Sequence, residues 1–226
     1  MISNEDQFIL PSENHLYFEG SLVENDNTPY AADEVRTTLV NNGLMYLFNR
    51  MDYSVANQSV EGFNNPGVAT TMKGLLTYPR IYPEGETFFW TLDENTEPEN
   101  NGGYATRCNY IHSEGNGKFS GLILLKHVFG FCEHHKIMYG AKHEITLHRN
   151  GDDDAILRSA VKAAGDAEDK TEPGKITLSK ISWRMPIVKL SDDASMDLLS
   201  DVKNKKVLPI EFLNRQCESL QLYNEH

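Results

Sequence analysis

No run of about 18 consecutive apolar residues occurs anywhere in the 226-residue chain, which excludes a membrane-spanning helix on the usual length criterion. Residues 1–11 carry Glu5 and Asp6 where a secretory signal would have a basic and then an apolar stretch, so no such signal is expected. Cysteine is sparse too. Cys108, Cys132 and Cys217 are far apart, odd in number and free of any C-x-x-C pair, which argues against both a disulfide framework and a zinc ribbon and fits a reducing compartment. The triplet Asn57-Gln58-Ser59 would then have no glycosylation consequence. Basic charge is also short: 21 Lys and Arg stand against 33 Asp and Glu, a formal net charge of -12. A surface of that sign repels phosphate backbones, so no direct contact with nucleic acid is expected. The densest basic group, Lys203, Lys205 and Lys206, suits the C-terminal turn of a helix.

What the chain does have is β-pattern. Residues 16–23, 35–40, 44–55 and 59–63 are β-rich runs, the last two separated by the turn Ala56-Asn57-Gln58. Asn65 is placed to cap and Pro66 to open a helix over residues 66–78, with Val68, Met72, Leu75 and Leu76 on one face. Residues 87–92 predict a strand, 93–103 a surface loop and 119–125 a buried strand. Residues 142–149 alternate polar with apolar and are followed by Asn150-Gly151, which predicts a hairpin whose return strand begins at 155–157. A long polar loop over 159–174 leads to an alternating strand over 175–189, with Ile176, Leu178, Ile181 and Trp183 inward. Ser191 caps a second short helix, 192–204, and residues 208–213 open one more strand. Many short strands with two helices and no fixed repeat predict an all-β protein, an antiparallel jelly-roll sandwich.

Chemical motifs fail one after another. The eight histidines, His15, His112, His127, His134, His135, His143, His148 and His226, form no H-x-H pair, so a cupin-like metal centre is not expected. The string Gly115-Asn116-Gly117-Lys118-Phe119 lacks the upstream glycine and the hydroxyl after lysine that a phosphate loop needs, and predicts a turn. Asp152-Asp153-Asp154 lacks the alternation of a calcium loop. Cys132 stands beside Glu133, His134 and His135 but between aromatic residues, as a small buried hydrophobe does, and no G-x-S-x-G elbow exists. The sequence thus predicts no catalytic, cofactor-binding or metal-ligating residue, no cofactor and no enzyme activity. One alternative is a jelly-roll carbohydrate- or ligand-binding module with Trp90, Tyr104 and Tyr110 as a stacking platform; otherwise Trp90 is a core residue.

Three stretches, 41–78 with its NPGVATTMKG string, 129–158 with GFCEHHKIMYGAKH, and 174–188 (GKITLSKISWRMPIV), resemble the first half of double jelly-roll major capsid proteins, notably those of Polinton/Maverick elements and adintovirus-like DNA viruses. The resemblance runs in order over residues 35–213. It implies a structural protein of an icosahedral viral shell, assembled in the nucleus or cytoplasm of a host cell and not secreted. It also implies homo-oligomers, trimeric capsomers, and contacts with neighbouring capsid subunits. Residues 1–208 would be the first jelly roll and 209–226 the start of a second one or a terminal strand. The helices at 66–78 and 192–204 are the expected contact elements, or else covers for the ends of the sandwich.

Overall fold

The computed structural model describes residues 1–3, 6–30, 37–79, 89–95, 100–114, 116–151, 154–157, 160–161, 170–171, 174–207 and 209–218. Its longer strands are β1 (His15–Val23), β2 (Phe48–Val55), β3 (Gln58–Asn64), β4 (Lys118–Leu124), β5 (Lys142–Arg149) and β6 (Lys175–Arg184). Its longer α-helices among the described residues are α1 (Pro66–Thr77), α2 (Gly102–Cys108) and α3 (Asp192–Lys203). One antiparallel sheet has the order Ile2–Ser3, β5, β2, β3, and a second has the order β6, β1, β4.

Strand periodicity of two decides which side chains enter the core. Along β1, Leu16, Phe18 and Leu22 are buried, and on the neighbouring β4 so are Phe119 and Ile123. From the other sheet come Phe48, Met51 and Tyr53 of β2 and Phe63 of β3. The layers touch through the Phe18 and Phe48 rings, 5.8 Å apart, and through Tyr53 and Trp183, 6.0 Å apart. Each fully buried Leu, Phe or Met stabilises the sandwich by about 1.5–3 kcal/mol relative to exposure.

β6 holds the inward set expected of it by means of a bulge between Leu178 and Lys180. The extra residue resets the parity, so Ile176 and Leu178 before it and Ile181 and Trp183 after it face Leu22, Gly20, Phe18 and Leu16 of β1. Ile181 nevertheless stays 47% exposed, because β6 is the edge of its sheet.

Several local expectations need correction. The hairpin at Asn150-Gly151 does not form: β5 pairs with β2 and with Ile2–Ser3, whereas Ile156–Leu157 pairs with Thr38–Leu39. The Asn150 amide donates to Leu47 O and its side chain to Asp154, which turns the chain away from a return strand. The run 44–55 is broken, since Gly43–Tyr46 is a helical turn and only Phe48–Val55 is strand. Phe89 to Leu92 form no strand; Phe89 sits at φ 62°, and residues 87–88 lie outside the described residues. The expected loop at 93–103 runs into α2, a helix the sequence did not announce. Residues 209–213 join no sheet, and residue 208 lies outside the described residues; within the expected loop at 159–174, Ala160–Val161 pairs with Lys170–Thr171 as short strands, and most of the rest lies outside the described residues. Among the described residues, no helix is long and apolar enough to cross a membrane.

Candidate interaction surface

α1 packs the opposite way from an ordinary amphipathic helix. Its buried residues are Pro66, Gly67, Thr70 and Gly74, all small. A Cβ at Gly67 would collide with the Tyr46 ring, and one at Gly74 with the Trp90 ring, so both glycines let the helix backbone lie directly on an aromatic face. Between them Thr70 Oγ1 donates to Pro66 O and accepts from Asn42 Nδ2 at 2.8 Å. With the small face inward, the large residues point out. Val68 is 45% exposed, Met72 59%, Leu75 60% and Leu76 85%. The predicted helix and its apolar stripe are present; the stripe faces solvent. Asn65 precedes the helix at φ 48° and makes no side-chain cap.

α3 presents a second stripe. Ser191 Oγ accepts from the Ala194 amide as an N-cap, and Asp192 and Asp193 occupy the first turn, where carboxylates favour the helix dipole. No residue of α3 is buried, and Met196, Leu199 and Val202 are exposed. In the chain on either side of α3, Ile187, Val207, Ile210 and Leu213 are exposed as well.

The extended segment 209–218 is held without a sheet ladder, by two carboxylates, a ring contact and a lysine. Glu61 of β3 is 2% exposed and accepts from the amides of Gly130 and Phe131 at 3.2 and 3.1 Å, with the Arg215 amide as a further donor. Burial pushes its pKa up, partly opposed by those amides. Beside it Glu133 accepts from Lys73 of α1 at 2.7 Å and from Arg215 at 2.6 Å. Burial raises the Glu133 pKa, but these two cations outweigh it and hold the carboxyl below its usual range. Phe212 stacks edge-on against Phe131, and Lys136 Nζ donates to Pro209 O. Glu61 is the residue that sequence reasoning missed; its only signal was a carboxylate at an inward position of a strand.

A groove of about 390 Å³ lies between β3 and residues Asn214, Gln216 and Glu218; of the charges lining it, Arg50 is engaged by Asp52 and Glu61 by the amides. Cys132 is fully buried, its thiol pushed up to about 12 by burial, and receives a weak hydrogen bond from Asn14. Tyr53 OH and His143 Nδ1 lie 2.8 Å apart in the core. His143 faces inward while His148, on the other face of β5, meets Asp52. Among the described residues no three His, Cys, Asp or Glu side chains cluster as a metal site would require. The stacking platform does not form: Trp90 is 4% exposed beneath α1, Tyr104 is 8% exposed, and Tyr110 donates its hydroxyl to Ser120 O. Arg107 of α2 is also buried, bonded to Leu39 O, Thr91 and Asp93.

Two antiparallel sheets face to face, with short helices at their side, define a jelly-roll type of domain. The model of the double jelly roll-like domain family matches residues 37–225, and the chain belongs to that family. No curated protein and no solved structure matches it. The family is typically structural and its domain fits capsid-type proteins in general.

Proposed function

We propose that this chain is a structural, shell-building protein: a double jelly-roll-type major capsid protein, or a shortened or domesticated form, that oligomerises into an icosahedral viral shell. The observation that carries this is the outward apolar face of α1 on a member of the double jelly roll-like family. A helix that buries glycines and threonine while exposing valine, methionine and two leucines is shaped for a partner, since contiguous exposed apolar surface marks association sites. The resemblance to capsid proteins of Polinton/Maverick elements and adintovirus-like viruses supplies the finer identity, the trimeric capsomer and the location in the virion. The second jelly roll of the capsomer would come from sequence beyond residue 208 or from another chain. The net charge of -12 favours a shell in which any genome contact is made by other, basic components.

Expression of the protein, alone and together with any adjacent open reading frame, followed by electron microscopy tests this reading. Trimers, higher capsomers or closed shells are the expected result. Particles that remain single subunits in both preparations contradict it.

A further inference from the structure

We infer that residues 209–218 form a strap that opens and closes as a unit over an intact sandwich, and that α1 sets its grip, because Lys73 of the helix and Arg215 of the strap share one carboxylate oxygen of Glu133. The device works within a single copy of the chain and does not depend on assembly.

The strap has little backbone bonding to hold it. Among the described residues it makes no backbone–backbone hydrogen bond. Its two backbone bonds both go to side chains: the Arg215 amide donates to Glu61, and Pro209 O accepts from Lys136 Nζ at 2.8 Å. Phe212, Arg215 and Cys217 are half-buried and the other seven residues are exposed. Segments with few buried contacts and solvated backbone open well below the free energy of global unfolding. Beneath the strap the sandwich is closed, with Phe131 buried and Cys132 fully so.

The contacts that the strap does make converge on one turn. Leu213 O lies directly on Gly130, where a Cβ would collide with it. Phe212 meets Phe131 edge-on, and Arg215 Nη2 reaches Glu133 Oε1 at 2.6 Å. The bare Cα of Gly130 is thus the seat of the strap. Closed, the strap sets Asn214, Gln216 and Glu218 across the groove from residues 59–62 of β3, the last strand of its sheet among the described residues. Its opening bares that edge, which could otherwise template further pairing only past the strap.

The grip is competitive. Lys73 Nζ reaches the same Glu133 Oε1 at 2.7 Å, and the two cations repel each other across it. Lys73 is seated independently of the strap, on Lys126 O and His127 O at 3.1 and 3.4 Å. Arg215 is also drawn to Glu61. With Lys73 gone, Arg215 would face two carboxylates alone and the strap would tighten.

Amide hydrogen exchange on the full chain, resolved by residue, tests this. Rates are corrected for their intrinsic values and read relative to the amides of β1, the central strand of its sheet, in the same variant. In the parent, the Arg215 amide is expected to be protected, yet to exchange at least about a hundredfold faster than β1. Gly130→Ala, which wedges the strap off its seat, should speed Arg215 about tenfold. Glu133→Gln should speed it about threefold to fivefold, whereas Lys73→Met should slow it. Lost protection in β1 identifies a variant that fails to fold, and the two charge variants keep the comparison readable if Gly130→Ala does so. Exchange of Arg215 at the β1 rate overturns the strap, since it would open only with the whole sandwich. Exchange without protection overturns it too, as does a folded Gly130→Ala or Glu133→Gln that brings no acceleration. An unchanged or faster Arg215 amide in Lys73→Met overturns the competition with α1.

Discussion

At the scale of single residues, Glu61 shows how a buried charge organises a surface. Its carboxylate accepts amides from a turn and from the C-terminal segment, so replacing it leaves buried donors without a full partner. Glu61→Gln is expected to cost about 1–3 kcal/mol, read as a lowered denaturation midpoint, with faster hydrogen exchange at Phe131 and around residue 215. An unchanged midpoint would show that these amides find other partners. Two histidines bear on pH. Burial lowers the pKa of His143 to about 4, and burial together with Lys73 and Lys126 does the same for His127, whose Nδ1 meets the Tyr78 hydroxyl while Glu133 pulls the other way. The unfolded chain, with ordinary imidazoles near 6.5, binds more protons than the folded one between pH 6.5 and 4. Stability is therefore present above that window and falls as pH drops through it, by about 2–3 kcal/mol for each ring. Urea titrations at pH 7 and pH 4.5 should show the loss, and replacing His143 by Gln should flatten part of the slope. Neither histidine could be assigned from sequence, because burial is a property of the packed fold.

Among elements, the sequence announces those whose signal is local. β1, β4 and β5 appear where a β-rich run, an apolar run and an alternating run place them, Ser191 caps α3, and the Ala56-Asn57 turn between β2 and β3 has both residues at positive φ, 50° and 63°, as a tight hairpin requires. The Asn150-Gly151 hairpin had an equally good local signal and lost. β5 instead takes β2 as its neighbour, setting Met51 opposite Leu147 and Tyr53 opposite Ile145, and such cross-strand pairs on a buried face outweigh a turn preference. α1 was legible as a helix with one apolar face. Its inverted orientation was not, because that depends on Tyr46 and Trp90, remote in sequence, lying under Gly67 and Gly74. Gly74→Val should therefore destabilise by about 1–3 kcal/mol through overpacking on Trp90, although valine is the better helix former. Met72→Asp, on the outer face, should change the unfolding free energy by no more than about 0.5 kcal/mol while weakening self-association. Loss of folding in Met72→Asp would mean that the stripe is internal support.

On the scale of the whole molecule, the class of fold was readable from composition and spacing, and the family match over residues 37–225 agrees with it. The candidate surface was half readable: both helices were located, and only their packing distinguished a cover for the sandwich from a contact for a neighbour. α1 does both, lying on Trp90 with its small face and offering its large one, whereas α3 offers a face without burying any residue. A chain with a net charge of -12 repels its copies at long range, so the association proposed above would come from apolar stripes at contact and strengthen as salt screens the repulsion. Sedimentation velocity over rising protein and salt concentration measures this most directly. Conversion of monomer to discrete oligomers that Met72→Asp abolishes is the result predicted here; a folded protein that sediments as a monomer throughout, with and without the substitution, would contradict it.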